Sequence, residues 1–165
     1  GKQDGMVQFE VDVPAGVTDG RCLVIRGQGE PGQNGGEAGD LFIEIQVKPD
    51  PWRKKSGLDV TCTVPISLNE AVFGGELDVP TLDGGTVCVR IPKSSRNGRV
   101  LRLRGRGAKS VDGNRSGDLY IQLTVEVPKL SPKGQKLVKT LEKESTYSER
   151  AEYDAYMKKR QESQR

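Results

Sequence analysis

Apolar residues alternate with polar ones along most of this chain. The alternation places aliphatic and aromatic side chains on one side of each segment and polar ones on the other, which is the period-2 signature of a half-buried antiparallel sheet. The pattern predicts strands with apolar positions from Val7 to Val13, Leu41 to Val47, Val60 to Ile66, Val87 to Ile91 and Leu119 to Val127. We therefore expect a mainly β protein.

One segment has helical rather than alternating spacing. Ser67 and Glu70 match a capping box, in which each side chain accepts a hydrogen bond from the other residue's backbone. Apolar residues follow at helical spacing as far as Gly74, which predicts a short helix over 68–73. Asp83-Gly84-Gly85 predicts a hairpin turn, because glycine accepts a positive φ. This part of the chain is predicted to run strand, helix, strand, turn, strand.

The chain changes character near its C-terminus. Ser131 can cap a helix that has Pro132 at its first position. Three apolar residues form a narrow stripe along that helix: Leu137, Val138 and Leu141. Residues 145–165 are highly charged, and the sequence leaves open whether they are helical against a packing surface or solvated.

The chain also contains a long internal repeat. Residues 11–47 align without gaps on residues 89–125, at a spacing of 78, and 14 of the 37 aligned positions are identical. Chance would give about two or three identities. The spacing exceeds the roughly 20–50 residues of a solenoid unit, so we interpret the repeat as a duplicated small domain.

The two copies are not equally complete. First-copy counterparts of residues 58–84 would precede the chain, which also lacks an initiator methionine. We therefore expect a fragment whose first domain is truncated at its N-terminus and has unpaired strand edges. The predicted fold is mainly β, with two tandem small β-sandwich-like domains of shared topology and a C-terminal α-helix.

Composition limits the expected cellular compartment of the protein and the kinds of catalysis and metal binding that its side chains could support. No apolar run approaches the roughly 18 residues of a membrane span, and no signal peptide is present, so we expect a cytoplasmic protein with no membrane partner. Cys22, Cys62 and Cys88 are far apart, which favours reduced structural residues. The chain has no histidine, which excludes Ser-His-Asp and Cys-His catalysis and most zinc chemistry. We predict no catalytic residue, no metal site and no enzyme activity.

Charge differs sharply between the copies. Residues 8–40 carry two basic and six acidic side chains, whereas residues 86–118 carry nine basic and two acidic ones. The basic strip, defined here as residues 90–106, raises the alternative of a nucleic-acid-binding or acidic-partner-binding β module. Aromatic residues are nearly absent there, and its arginines alternate with Leu101 and Leu103 as on a solvated sheet face. Nucleic acid is the less favoured partner.

Two glycine motifs favour structural roles. Gly27-Gln28-Gly29-Glu30-Pro31-Gly32 matches a dinucleotide fingerprint, but no helix follows to hold a pyrophosphate, so we interpret it as a turn between strands. Asp40 and Asp118 each follow a glycine at the start of a strand. Such carboxylates commonly bond local backbone N–H groups, and no partner for catalysis is indicated.

Several motifs together resemble the substrate-binding domains of the DnaJ (J-protein) co-chaperones. The first copy carries Val13-Pro14-Ala15-Gly16-Val17, Arg26-Gly27-x-Gly29-Glu30 and Gly39-Asp40-Leu41. The second carries Val64-Pro65-Ile66, Glu70-Ala71, Gly74-Gly75, Val79-Pro80-Thr81-Leu82-Asp83-Gly84, Leu103-Arg104-Gly105-x-Gly107 and Gly117-Asp118-Leu119. The likeness runs in order from residue 5 to about residue 144.

The resemblance implies a chaperone function in protein folding and the stress response. It implies non-enzymatic binding of unfolded protein clients in an apolar groove of the first domain, homodimerisation through the C-terminal helix, and delivery to a DnaK-type ATPase chaperone. The groove-lining positions fall on Phe9, Val11, Ile43 and Ile45, although all four could be ordinary core residues. Those for dimerisation fall on Leu137, Val138 and Leu141.

The implied domains are a partial first substrate-binding β-domain over 1–49, a second β-domain over 50–130, and a dimerisation helix with a charged tail over 131–165. The family's His-Pro-Asp loop and its Cys-x-x-Cys-x-Gly-x-Gly zinc motifs are absent from this chain. We expect no cofactor in this fragment, and the resemblance leaves zinc open for the parent protein. Asp50-Pro51-Trp52-Arg53 stands where the family usually has His-Pro-x-Phe.

Overall fold

A computed structural model describes residues 8–14 and 16–165. In that part of the chain eight strands form three sheets. The strands are β1 (Cys22–Ile25), β2 (Leu41–Glu44), β3 (Arg53–Ser56), β4 (Asp59–Ile66), β5 (Gly75–Pro80), β6 (Thr86–Ile91), β7 (Val100–Leu103) and β8 (Leu119–Val125). The helices are α1 (Leu68–Phe73), α2 (Pro132–Lys143) and α3 (Ser148–Ser163), and a short 3-10 helix spans Gln33–Gly35. The prediction of a mainly β fold with a C-terminal helix is confirmed.

The sheets differ in size. β1 pairs only with β2, β5 pairs with β6, and the third sheet has the order β3-β4-β8-β7. The four-stranded sheet, the β5-β6 sheet and α1 bury one shared apolar core, to which β8 contributes its inward-facing residues Leu119, Ile121 and Leu123. By contrast, none of the described residues from 8 to 58 is fully buried.

The centre of the four-stranded sheet is a parallel pair. β4 runs parallel to β8, from Val60 opposite Leu119 to Ile66 opposite Val125. The expectation of antiparallel strands is therefore wrong for this pair. A parallel pair needs a long crossover connection, and α1 with β5, β6 and β7 supplies it.

The predicted helix and turn are confirmed. Ser67 Oγ accepts from the Glu70 N–H at 3.0 Å, and Glu70 Oε1 accepts from the Ser67 N–H at 3.0 Å, which completes the capping box of α1. Gly74 ends the helix with a φ of 79°. In the turn before β6, Gly84 has a φ of 89°, which a side chain would strain.

The strand predicted from Val7 to Val13 is not formed. Val7 lies outside the described residues, and residues 8–14 belong to no strand. The second-copy counterpart of this segment is β6, which is held by its partner β5. No described residue supplies such a partner in the first copy, and alternating apolar residues without a partner do not make a sheet.

The C-terminal segments form a separate compact unit, Val127–Arg165. Ser131 Oγ accepts from the Gly134 N–H at 3.1 Å, which confirms the predicted start of α2. The charged tail, whose helicity the sequence left open, forms α3. Among the described helices none is long and apolar enough to cross a membrane.

Candidate functional site

The two copies of the repeat form the same hairpin. In the first copy β1 pairs with β2 from Cys22 opposite Glu44 to Ile25 opposite Leu41. In the second copy β7 pairs with β8 from Val100 opposite Gln122 to Leu103 opposite Leu119. Every pair of the second hairpin is a pair of the first moved by 78 residues. The duplication inferred from the sequence therefore extends to the register of the strands.

The glycine-rich loops of the hairpins also match. The Gly29 N–H donates to the Gly39 carbonyl at 2.7 Å, as the Gly107 N–H donates to the Gly117 carbonyl at 2.9 Å. A Cβ on Gly29 would lie 2.5 Å from the Asp40 carbonyl oxygen, so the close approach requires glycine. The interpretation of Gly27–Gly32 as a turn is thus supported.

Both motif aspartates hold these loops closed. Asp40 Oδ1 accepts from the Gly27 N–H at 3.0 Å, and Asp118 Oδ1 accepts from the Gly105 N–H at 2.9 Å. The predicted structural role is confirmed, although each partner lies 13 residues away across the loop rather than locally. The hydrogen bond from the Gly105 N–H lowers the pKa of Asp118 most, and the hydrogen bond from the Arg102 guanidinium lowers it further.

The hairpins differ in how far their apolar row is covered. Leu119, Ile121 and Leu123 are at most 1% exposed, because β8 lies between β4 and β7 and faces the common core. Their counterparts, the edge row, are only half-buried: Leu41, Ile43 and Ile45. β2 has one strand neighbour among the described residues, and its other edge carries no strand.

The structure locates the four predicted groove residues in two places. Ile43 and Ile45 lie two positions apart, on the apolar side of β2 and its continuation. Phe9 is 43% exposed and Val11 is half-buried, both in the segment that forms no strand. No backbone hydrogen bond joins described residues 8–13 to β1 or β2. The grouping of all four into one groove therefore stays a prediction.

The outer face of the first hairpin is apolar too, which the sequence analysis missed. Val24 and Phe42 form a cross-strand pair and are 51% and 66% exposed. The same positions in the second copy hold Arg102 and Tyr120, with the guanidinium 5.8 Å from the ring centroid. Comparing the repeats position by position would have found the pair, since an apolar pair replaces a polar one.

The basic strip lies mostly at the surface, on β6, β7 and their connections. Arg102 Nε donates to Asp118 Oδ2 at 2.8 Å, and the same carboxylate raises the pKa of Arg102. One cation of the strip is therefore paired within the sheet. The arrangement agrees with the interpretation of a solvated sheet face.

A shallow cavity of about 500 Å³ lies beside Trp52, in the loop that precedes β3. Asp50 accepts from the backbone N–H of Trp52 at 2.9 Å and from Arg53 Nε at 2.7 Å. These hydrogen bonds lower the pKa of Asp50, and the bond from Arg53 contributes most. The loop is thus internally hydrogen-bonded, while the Trp52 side chain is 56% exposed.

The predicted dimerisation stripe is open to solvent in the described chain. Leu137, Val138 and Leu141 on α2 are 61%, 47% and 46% exposed. Three aliphatic side chains on one side of a helix form an apolar surface.

Comparison with known proteins gives one consistent family. Residues 2–128 match the family model described as DnaJ C terminal domain. The chain is 44% identical over 122 residues to a chaperone protein DnaJ from Ruminiclostridium cellulolyticum, covering 74% of this chain and 32% of that protein. It is 42% identical over 135 residues to one from Leptothrix cholodnii, covering 81% and 35%. It is 39% identical over 147 residues to one from Neisseria meningitidis, covering 88% and 39%. The chain thus spans about a third of the length of these curated relatives.

Proposed function

Because this chain belongs to the family of DnaJ C-terminal domains, we propose that it is a co-chaperone segment that binds unfolded polypeptide. The client-binding surface is the edge row of β2, and Phe9 and Val11 extend it. The chain acts without catalysis, forms a homodimer through α2, and serves to deliver clients to a DnaK-type ATPase chaperone.

The proposal depends chiefly on one contrast between the two copies. Apolar positions that are at most 1% exposed in the second hairpin are left half-buried in the first. The edge row is therefore the part of the two hairpins that offers apolar surface to a client. Covering such residues removes apolar area from water, and this is the interaction that unfolded clients offer.

The partial burial also sets the strength of binding. The three side chains of the edge row already hide most of their surface, so completing their burial is worth only about 1–2 kcal/mol. A bound client therefore needs further contacts and is held weakly. Weak and reversible binding suits a segment that must hand its client to another protein.

Substitution of one edge-row residue tests the proposal. Ile43→Asp is expected to weaken binding of a permanently unfolded client, such as reduced and carboxymethylated α-lactalbumin, about tenfold or more, because a charge would be buried against an apolar segment. Glu44→Gln is the matched control, since Glu44 is the exposed next residue of β2. Fluorescence anisotropy of the labelled client measures the affinity.

A second variant tests the extension of the surface. Phe9→Asp is expected to lower the affinity for the same client, since Phe9 is an exposed aromatic residue without a strand partner. The unfolding transition of the second domain serves as the folding control for both variants. Unchanged affinity for both variants, with that transition intact, would contradict the proposed client surface.

A further inference from the structure

We propose that the second domain carries a binding site for an acidic peptide, at the place where the C-terminal end of α1 meets the end of β6. The peptide that fits this site has a large apolar side chain between two carboxylates. The site lies on other elements than the edge row, so the inference goes beyond the proposed client binding and does not rest on it.

The site is a cavity of about 470 Å³, called here the α1–β6 cavity. Phe73, the last residue of α1, lines it and is 66% exposed. The β6 side of the lining includes the half-buried Pro92 and two exposed cations, Arg90 and Lys93. One wall of the cavity therefore has apolar residues between two positive charges, and the other wall adds an aromatic ring.

Backbone hydrogen bonds hold the wall that carries Lys93 against α1. The Ser94 N–H donates to the Val72 carbonyl at 3.1 Å, and the Ser95 N–H donates to the Ala71 carbonyl at 2.8 Å. Ser94 has a φ of 56°, which is uncommon for a residue with a side chain and persists only where the surrounding contacts fix it. The cavity is therefore formed before a ligand arrives, which lowers the entropic cost of binding.

The two cations of the cavity are available to a ligand. Among the described residues, neither Arg90 nor Lys93 forms an ion pair. Glu76 stands opposite Arg90 in the β5–β6 pair, but its Oε2 accepts from the Cys88 thiol at 3.8 Å. Residues 86–118 carry nine basic and two acidic side chains, so the surrounding field also attracts an acidic segment.

The spacing of the cations indicates the residue pattern of the peptide. Side chains alternate along an extended peptide, so positions one, three and five point the same way, and positions one and five are about 13 Å apart. Arg90 and Lys93 are three residues apart, at most about 10 Å along the chain, and their long side chains extend this reach. Acids at positions one and five would then meet the cations, while an aliphatic residue at position three would contact Phe73 and Pro92.

A peptide fits this cavity better than a nucleic acid does. Nucleic acids are bound by rows of cations along the phosphate backbone and by several aromatic side chains on which the bases stack. The α1–β6 cavity has two cations separated by apolar residues and a single aromatic ring, that of Phe73. An apolar side chain between two carboxylates matches this arrangement.

Fluorescence anisotropy with the full chain tests the residue pattern. The probe is the fluorescein-labelled peptide Gly-Glu-Ser-Leu-Ser-Glu-Gly with an amidated C-terminus. Replacing both glutamates with glutamine, or the leucine with serine, is expected to weaken binding about tenfold or more. The isomer Gly-Glu-Leu-Ser-Ser-Glu-Gly, which turns the leucine away from the acids, should bind as weakly as the serine peptide. Equal affinity for all four peptides, or no binding of the probe up to about 1 mM protein, overturns the inference.

A charge-matched pair of protein variants tests the place of binding. Arg90→Gln together with Lys93→Gln is expected to weaken the probe about tenfold or more. Lys109→Gln together with Arg115→Gln removes the same charge from exposed residues outside the cavity, so the loss should stay below about threefold. Phe73→Ala should weaken the probe without changing its dependence on salt. The urea transition of the second domain is the folding control, and equal losses for the two pairs would overturn the cavity as the site.

Nuclear magnetic resonance on the full chain distinguishes the other outcomes. Saturating probe is expected to shift the amide resonances of Gly74, Lys93 and Ser94 and to leave that of Phe42 unchanged. Shifts confined to other residues, or displacement of the probe by a tighter-binding single-stranded oligonucleotide, overturn the inference. Ile43→Asp should leave the affinity for the probe unchanged, so that failure of the proposed client surface and failure of the acidic-peptide site are separate results.

Discussion

Asp40 and Asp118 occupy the same position in the two copies and close the same loop, but their surroundings differ. The Asp118 carboxylate also accepts from Arg102, and the Asp118 backbone N–H donates to Asp59 Oδ1 at 2.8 Å. In the first copy Val24 stands where Arg102 would be. At the scale of single residues, both copies have the aspartate-to-glycine hydrogen bond that closes the loop. Among the described residues, the second copy adds an ion pair between this aspartate and Arg102.

This difference gives a pH-dependent prediction. The pKa of Asp118 is lowered in the folded chain, so its ionised form contributes stability that is present above the unfolded value of about 3.9 and is lost as the pH falls through the folded pKa. Asp118→Asn is expected to lower the urea midpoint of the second domain at pH 7. The deficit should shrink toward zero in acid.

Asp40→Asn is the matched variant, because it removes the same charge from the equivalent loop position, where Val24 stands in place of Arg102. It should leave the urea midpoint of the second domain unchanged. Urea titrations followed by the fluorescence of the single tryptophan, Trp52, report on that domain, since the Trp52 carbonyl accepts from the β4 residue Thr63 at 2.8 Å. A pH-independent deficit for Asp118→Asn would contradict the electrostatic origin.

At the scale of elements, the sequence predicts what local chemistry determines. The helix α1 has both its capping box and its terminal glycine in the printed residues, and the register of one hairpin follows from that of the other. The strand predicted from Val7 to Val13 is wrong because a strand needs a neighbour, and alternation does not reveal whether one is present. β3 was missed because Arg53-Lys54-Lys55-Ser56 has no apolar alternation, and its pairing with β4 holds it.

The candidate site was foreseeable in part for the same reason. Ile43 and Ile45 were found because their alternation is strong, and the structure places them on β2 and its continuation. Their partial burial could not be read from alternation, since Ile121 has the same pattern and is 0% exposed. The cysteines show the same limit: all three are free, but only Cys62 is buried.

Equivalent truncations in the two hairpins should have unequal costs. Ile121→Ala removes a fully buried side chain and is expected to destabilise the second domain by about 2–5 kcal/mol. Ile43→Ala removes a half-buried side chain beside an open edge, so its cost should be about 1 kcal/mol or less. Hydrogen exchange of the two hairpins, measured separately, gives both values. Equal costs would contradict the difference in burial on which the client surface depends.

At the scale of the whole molecule, the uneven charge separates the two candidate functions. A client bound by apolar contacts should lose less than about threefold in affinity between 50 and 500 mM salt, because few ion pairs form. A nucleic acid held by the basic strip should lose tenfold or more over the same range. Anisotropy titrations with unfolded lactalbumin and with a single-stranded oligonucleotide compare the two directly. A tenfold or greater loss of client affinity over this salt range would favour the basic strip as the client-binding site.

The proposed dimer depends on the apolar stripe of α2, whose side chains are 46–61% exposed. Leu137→Gln together with Leu141→Gln keeps helix propensity but removes the apolar surface, so it should raise the dimer dissociation constant about tenfold or more. Lys139→Gln is the matched control, since Lys139 lies about 200° around the helix from Leu137.

Sedimentation velocity over a concentration series distinguishes the outcomes. The control should sediment as the unchanged chain does, while the double variant should shift toward the monomer. A chain ending at Pro128, which lacks both α2 and α3, should be monomeric at all concentrations. If that shortened chain associates as strongly as the full one, the interface lies elsewhere, and the open edge of β2 becomes the next surface to examine, because an unpaired strand edge also joins copies of a chain.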